Sequence, residues 1–143
     1  MTKLKAILVD DEPRARNVLE NLLHRFCPDV DVVAKCPNVP EAVEAIRLHR
    51  PDLVLLDIEM PKFAGFELVK FFDEVDFEII FVTAYDQFAL RAFELAAVDY
   101  LLKPVDINRL KQAIARVKTN SDRIHRLQRM ATLKEALKGQ KVA

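Results

Sequence analysis

Three times in this chain a run of four apolar residues stops at a polar one: Ala6-Ile7-Leu8-Val9 before Asp10, Leu53-Val54-Leu55-Leu56 before Asp57, and Ile79-Ile80-Phe81-Val82 before Thr83. None of these runs alternates with polar residues as a half-solvated strand does. Each therefore reads as a strand buried on both faces, the condition of strands in a parallel sheet. Between the runs the apolar spacing changes to three and four residues. Ala15, Val18, Leu19, Leu22, Leu23 and Phe26 form one helical stripe behind Pro13, which a first helical turn tolerates, and Pro28 ends it. A second strand is expected over residues 30–34, then a helix opened by Pro40, running through Ala42, Val43, Ile46 and Leu48, and closed by Pro51. After the third strand, a loop with Pro61 and Gly65 leads to a short helix carrying Phe66, Val69 and Phe72. A helix around residues 88–95 precedes a fifth strand over 98–102, which ends at Lys103-Pro104. Asp106 is then placed to cap a long helix through Leu110, Ile114 and Val117.

Five such strands alternating with five helices predict a parallel sheet covered on both faces. Right-handed crossovers leave few arrangements, and the most economical is the flavodoxin-like, doubly wound (βα)5 fold with strand order 2-1-3-4-5. A chain of 143 residues suits one such domain. Its two glycines, Gly65 and Gly139, exclude a P-loop and a dinucleotide fingerprint, both of which need several glycines in one short turn. No apolar run is long enough to span a bilayer. The acids Asp10-Asp11-Glu12 follow the N-terminus too closely for a signal peptide, so Cys27 and Cys36 are expected to be buried thiols of a cytoplasmic protein. His24, His49 and His125 have no zinc-ligand spacing with these cysteines, and His49 and His125 are expected on solvated helix faces.

Basic and acidic side chains balance at 22 each, but the tail does not: residues 117–143 hold seven basic and two acidic side chains. The domain is accordingly read as residues 1–118, with 119–143 a helical extension. Asn120-Ser121-Asp122 resembles a break with a new N-cap, after which Ile124, Leu127, Met130, Ala131, Leu133 and Leu137 cover about half of a helical circumference. This helix either packs back on its own domain or serves as a linker or dimer helix toward another one. Its basic residues are interspersed and lack aromatic neighbours, so they are not a nucleic-acid signal.

Ligands of doubly wound sheets bind at the carboxyl ends of the strands. Asp10 and Asp11 stand there on strand 1, Asp57 on strand 3, Thr83 on strand 4 and Lys103 on strand 5. Singly, these have ordinary explanations: a helix cap, a turn, a β-branched strand residue, a solvated charge. Together they form a complementary set. Clustered carboxylates repel, and a hard divalent cation such as Mg²⁺ relieves that repulsion through oxygen ligands. Lys103 and Thr83 add a positive charge and a hydroxyl donor, so a phosphoryl group completes the set.

The segments Ile-Leu-Val-Asp10-Asp11-Glu-Pro, Leu-Leu-Asp57-Ile-Glu-Met-Pro61-Lys-Phe-Ala-Gly65, Phe-Val-Thr83-Ala-Tyr and Ala-Val-Asp-Tyr100-Leu-Leu-Lys103-Pro104 closely resemble the receiver domain of two-component response regulators, over residues 4–118. The stretches Asp-Asp-Glu-Pro-Arg-Ala-Arg and Ala-Val-Asp-Tyr-Leu-Leu-Lys-Pro look most like the LytTR subgroup, whose members carry a DNA-binding domain after the receiver. The resemblance implies that Asp57 accepts a phosphoryl group from a sensor histidine kinase. It implies that Asp11, Asp57 and the backbone carbonyl of Glu59 hold Mg²⁺, with Asp10 helping. It further implies that Lys103 pairs with Asp57 and then with the phosphoryl group, that Thr83 swings toward that group, and that Tyr100 follows inward. The face of the fourth helix, fifth strand and fifth helix then changes, and a homodimer through that face is expected. The resemblance also implies that Glu59 and Tyr85 occupy positions that tune the phosphoryl lifetime, and Lys103-Pro104 is an expected cis peptide.

The expected function is thus a phosphorylation-dependent switch, not an enzyme with turnover, controlling transcription through a DNA-binding domain outside these 143 residues. One alternative is a stand-alone receiver that docks a partner protein. Another is a Mg²⁺-dependent aspartyl-phosphate hydrolase, against which stand the adjacent rather than alternate acids of strand 1. A flavin-binding module lacks its phosphate loop here, and a degenerate receiver would not retain the acids and Lys103.

Overall fold

The computed structural model describes residues 3–60, 64–84, 99–119 and 123–138. Five parallel strands form one sheet in the order β2-β1-β3-β4-β5: β1 Leu4–Val9, β2 Val30–Cys36, β3 Leu53–Leu56, β4 Glu78–Thr83 and β5 Asp99–Leu102. This is the flavodoxin-like order expected from the run-and-helix pattern. The central strand β3 is fully enclosed, with Leu53, Val54, Leu55 and Leu56 at most 1% exposed. That is the physical reason its sequence lacks polar alternation.

Two apolar layers cover the sheet. On one face α1 (Pro13–Phe26) and α3 (Ile107–Thr119) bury Leu19, Leu23, Leu110, Ile114 and Val117 against Leu8, Leu55 and Ile80. On the other, α2 (Val39–His49) buries Val39, Ala42, Val43 and Ile46 against Ile7, Val54 and Phe81. The helix ends follow capping chemistry. Asn38 accepts from the Glu41 backbone N–H at 2.9 Å and starts α2, and Asp106 accepts from the Arg109 N–H at 3.0 Å and starts α3, as its position suggested. Lys103-Pro104 is cis.

Several expectations change. The segment after β3 is a 3-10 helix, Gly65–Phe71, and Gly65 begins it rather than lying in the loop before it, while Phe72 falls at its C-cap. Val18 and Leu48, counted in the apolar stripes of α1 and α2, are 57% and 78% exposed. His49 is half-buried, not fully solvated. The helix expected over 88–95, Val98, and the proposed break at 120–122 lie outside the described residues, as do Tyr85 and the side chain of His125.

After α3 a separate helix, α4 (Arg123–Lys138), packs back on the domain, the first of the two alternatives left open for the tail. Met130 is fully buried in the layer that contains Val69 and Phe77. Arg129 pairs with Glu78 and Arg126 with Asp76.

Candidate functional site

The polar residues that follow the strands are fixed by hydrogen bonds that extend the sheet ladder. The Asp10 N–H donates to the Cys36 carbonyl at 3.0 Å, the Asp57 N–H to the Val9 carbonyl at 2.9 Å and the Lys103 N–H to the Thr83 carbonyl at 2.8 Å. Because Val9 pairs with Leu56 in the β1–β3 register, Asp10 and Asp57 emerge side by side. Carboxylate oxygens of Asp10, Asp11 and Asp57 all lie within 4.8 Å of one another. Asp10 and Asp57 are 7% and 6% exposed, and Asp11 is the more open of the three. Thr83, the last residue of β4, is fully buried beside this edge, and Tyr100 on β5 is half-buried.

Lys103 reaches back across 93 residues of sequence to Asp10, with Nζ 2.6 Å from Asp10 Oδ2, and stands 3.5 Å from Asp57 Oδ2. The resemblance implied a resting pair with Asp57; the shorter partner is Asp10. Asp57 is left short of compensation, and its burial pushes its carboxyl pKa up to about 6, against the pull of Lys103 and with a further push from the charges of Asp10 and Asp11. The backbone N–H of Glu59 donates to the Asp57 carboxylate and works the other way. Lys103 itself is held above the ordinary lysine value: burial works against its charge, but the hydrogen bond to Asp10 and the charge of Asp57 outweigh it.

Three converging carboxylate oxygens, one of them raised toward protonation by burial, are a donor set short of positive charge. A hard, oxygen-seeking dication fits that description, and Asp10, Asp11 and Asp57 are the residues that would hold it. Three further residues support the site through contacts that the sequence does not show. Arg16 Nη1 donates to the Asp10 carbonyl at 2.5 Å and locks the β1–α1 turn. Arg109 Nη2 donates to Asp99 Oδ1 at 3.0 Å and to the Tyr100 carbonyl at 3.2 Å, which ties α3 to the strand bearing Tyr100. Gly65 backs onto the site: its N–H donates to the Ile58 carbonyl at 2.7 Å, and a Cβ there would stand 2.1 Å from the Asp57 carbonyl oxygen. The first two carry no local pattern in sequence. Gly65, one of only two glycines in the chain, was visible, but its contact was not.

The model of the response regulator receiver domain matches residues 6–115. The chain belongs to this family. Among curated relatives it is 43% identical over 116 residues to the transcriptional regulatory protein BtsR of Escherichia coli K12, covering 80% of this chain and 48% of that protein. A response regulatory protein of Vibrio cholerae is 46% identical over 115 residues, again 80% of this chain and 48% of the relative. The chain thus spans about half the length of the curated relatives it matches. Among solved structures, the receiver domain of AraT, a response regulator from Geobacillus stearothermophilus, superposes with TM-score 0.69 at 34% identity, covering 81% of this chain and 93% of that one. A two-component response regulator of the LuxR family from Aurantimonas superposes with TM-score 0.70 at 32% identity, covering 81% and 85%. These matches support the receiver family and not the LytTR subgroup. Among the described residues no helix is long and apolar enough to cross a membrane.

Proposed function

We propose that this receiver is a phosphorylation switch in which Asp57 accepts a phosphoryl group from a sensor histidine kinase in the cytoplasm. The observation that carries the reading is the meeting of three carboxylates and Lys103 at one buried sheet edge. An Asp57 carboxylate oxygen attacks phosphorus in line, the P–N bond of the phosphohistidine breaks, and its electron pair stays on the imidazole nitrogen. Lys103 meets the charge that develops on the equatorial oxygens, leaving Asp10, and the Thr83 hydroxyl donates to another of them. Asp10, Asp11, Asp57 and the Glu59 carbonyl are the groups that would hold Mg²⁺, which would supply positive charge to neutralise the carboxylates and the transferring group. A phosphoryl group adds roughly −1.5 to −2 charge at this edge. Thr83 and Tyr100 respond, and the face that contains β5 and α3 changes, with Arg109 linking the two. On this reading Glu59 and Tyr85 set the lifetime of the phosphoryl group, and the chain modifies itself without turning over a substrate.

We further propose that the switch acts on transcription. One matched relative is described as a transcriptional regulatory protein, and the 116 matched residues are 48% of its length. Output then comes from a DNA-binding domain of the full protein, with residues 1–118 as receiver, residues 119–143 as the helical extension, and a homodimer through the altered face. The LytTR subgroup rests on the two motif stretches alone. A receiver that docks a partner protein is the second reading, favoured by the self-contained packing of α4.

Intact mass measured with acetyl phosphate, with and without Mg²⁺, tests the first step. An adduct of roughly 80 Da that requires Mg²⁺ and is lost in Asp57→Asn is expected. No adduct, together with no fluorine NMR signal for bound beryllofluoride, would sink the reading.

A further inference from the structure

Helix α4 is held to the domain by charged contacts as well as by apolar ones. Arg129 makes a two-pronged ion pair with Glu78, Nη1 at 2.8 Å and Nη2 at 2.5 Å, although Glu78 is only 1% exposed. Arg126 donates to Asp76 at 2.7 Å, and Lys134 Nζ donates to the carbonyls of Phe72 and Asp73. Among the described side chains of α4, Met130 is fully buried and apolar. All of these polar acceptors lie in residues 72–78, which begin where the 3-10 helix ends. The other end of that helix is Gly65, packed on the Asp57 carbonyl. One short helix therefore connects the phosphoacceptor to the seat of α4.

That helix is unusual for its length. It runs for seven residues, whereas 3-10 runs longer than three or four are uncommon and mark hinges or strain. Its sequence carries apolar residues at α-helical spacing. Seven residues rising 2.0 rather than 1.5 Å each make the 3-10 form longer by about 3.5 Å. Recoiling as an α-helix would carry Phe72 and its carbonyl away from Lys134 by more than a hydrogen bond tolerates.

We propose that residues 72–78 form an acid-rimmed receptor for the chain's own basic helix α4, that docking there selects the 3-10 form of residues 65–71, and that a phosphoryl group on Asp57 favours the α form and frees α4. The proposal rests on the phosphoacceptor reading above. Coupling between two sites is reciprocal. The phosphoryl group loosens α4, and weakening the α4 contact strengthens binding at Asp57 by the same factor.

Hydrogen–deuterium exchange of α4 in the full chain, beside beryllofluoride titrations followed by fluorine NMR, tests both directions. At low salt α4 should be protected, and Mg²⁺ with beryllofluoride should cut that protection roughly tenfold. Arg129→Glu should remove the protection and raise beryllofluoride affinity roughly tenfold. Asp76→Arg should also loosen α4, and Arg126→Asp in the same chain should restore it, which separates loss of the contact from loss of the fold. An α4 unprotected in the unmodified chain overturns the receptor. Equal beryllofluoride affinity in unmodified chain and Arg129→Glu overturns the coupling alone. No beryllofluoride binding in any variant overturns the phosphoacceptor reading and the coupling with it, while the low-salt protection of α4 still reports on the receptor.

Discussion

Asp57→Asn should make the metal-free protein more stable at neutral pH, even though it removes the central residue of the proposed site. The Asp57 side chain is 8% exposed, and burial raises its carboxyl pKa from 3.8 to about 6. An acid whose pKa is higher folded than unfolded stabilises the fold while it is protonated. That contribution is complete below about pH 4 and is lost as the pH rises through 6. Raising the carboxyl from 3.8 to about 6 corresponds to about 3 kcal/mol, the cost of holding the Asp57 carboxylate in the fold above pH 7. Asparagine keeps the shape and the acceptor for the Glu59 N–H but carries no charge. The variant should therefore gain about 2 to 3 kcal/mol at pH 7.5, somewhat reduced because Lys103 loses one of its partners. In a domain of this size that amounts to a melting shift of roughly 6–10 °C. Thermal and urea unfolding in EDTA from pH 4 to 8 would show the advantage growing as pH rises. Adding millimolar Mg²⁺ should raise the stability of the unmodified chain and that of the variant much less. An advantage that is absent at pH 7.5, or larger at pH 4.5 than at 7.5, would refute the claim that burial of an under-compensated carboxylate governs this site.

Three further outcomes follow from the same geometry. Gly65→Ala forces a methyl to within 2.1 Å of the Asp57 carbonyl oxygen, backbone against backbone, and should cost about 3 kcal/mol in urea unfolding while weakening beryllofluoride binding. Mg²⁺ affinity, measured by isothermal titration, should fall as the pH drops below about 6, because the dication competes with the proton that Asp57 takes up there. Lys103→Met leaves Asp10 and Asp57 without the cation that stands 2.6 and 3.5 Å from them, so this pH midpoint should move upward and phosphorylation by acetyl phosphate should slow by at least tenfold.

The strands and their order were legible because burial on both faces leaves a direct mark: Leu53-Val54-Leu55-Leu56 is the whole of β3, with no residue more or less. The proposed site was legible for a related reason. A polar residue directly after such a run has to stand at the sheet edge, and the topology then gathers those edges. What stayed hidden depends on contacts made far along the chain. Glu78 and Asp99 are acids inside strands, against every pattern of burial, and their partners arrive from α4, 51 residues later, and from α3. That Lys103 pairs with Asp10 as well as with Asp57, and sits nearer Asp10, is a matter of an ångström between two neighbouring carboxylates, beyond what spacing can express. The 3-10 form of residues 65–71 escapes for the same reason, since apolar spacing there fits an α-helix as well.

The burial of Asp57 that works against the resting fold also bears on how such a switch responds. A fully solvated aspartate would exchange water for metal and phosphoryl oxygens with little change in its surroundings, and the fold would have little to gain. Here the carboxylate sits 6% exposed, with its nearest ammonium already turned to Asp10, so added positive charge relieves a cost the folded state already carries. On the proposed reading a phosphoryl group would give Lys103 a reason to leave Asp10, which it reaches at 2.6 Å. The Lys103 backbone N–H donates to the Thr83 carbonyl at 2.8 Å, so a new partner for its ammonium would pull on the ends of β4 and β5 together. Arg109 carries that pull from the Tyr100 carbonyl into α3. Arg109→Ala should therefore leave beryllofluoride binding at Asp57 within about twofold while reducing the accompanying chemical-shift changes along α3. Unchanged shifts along α3 in that variant would place the transmission elsewhere on the β5 face.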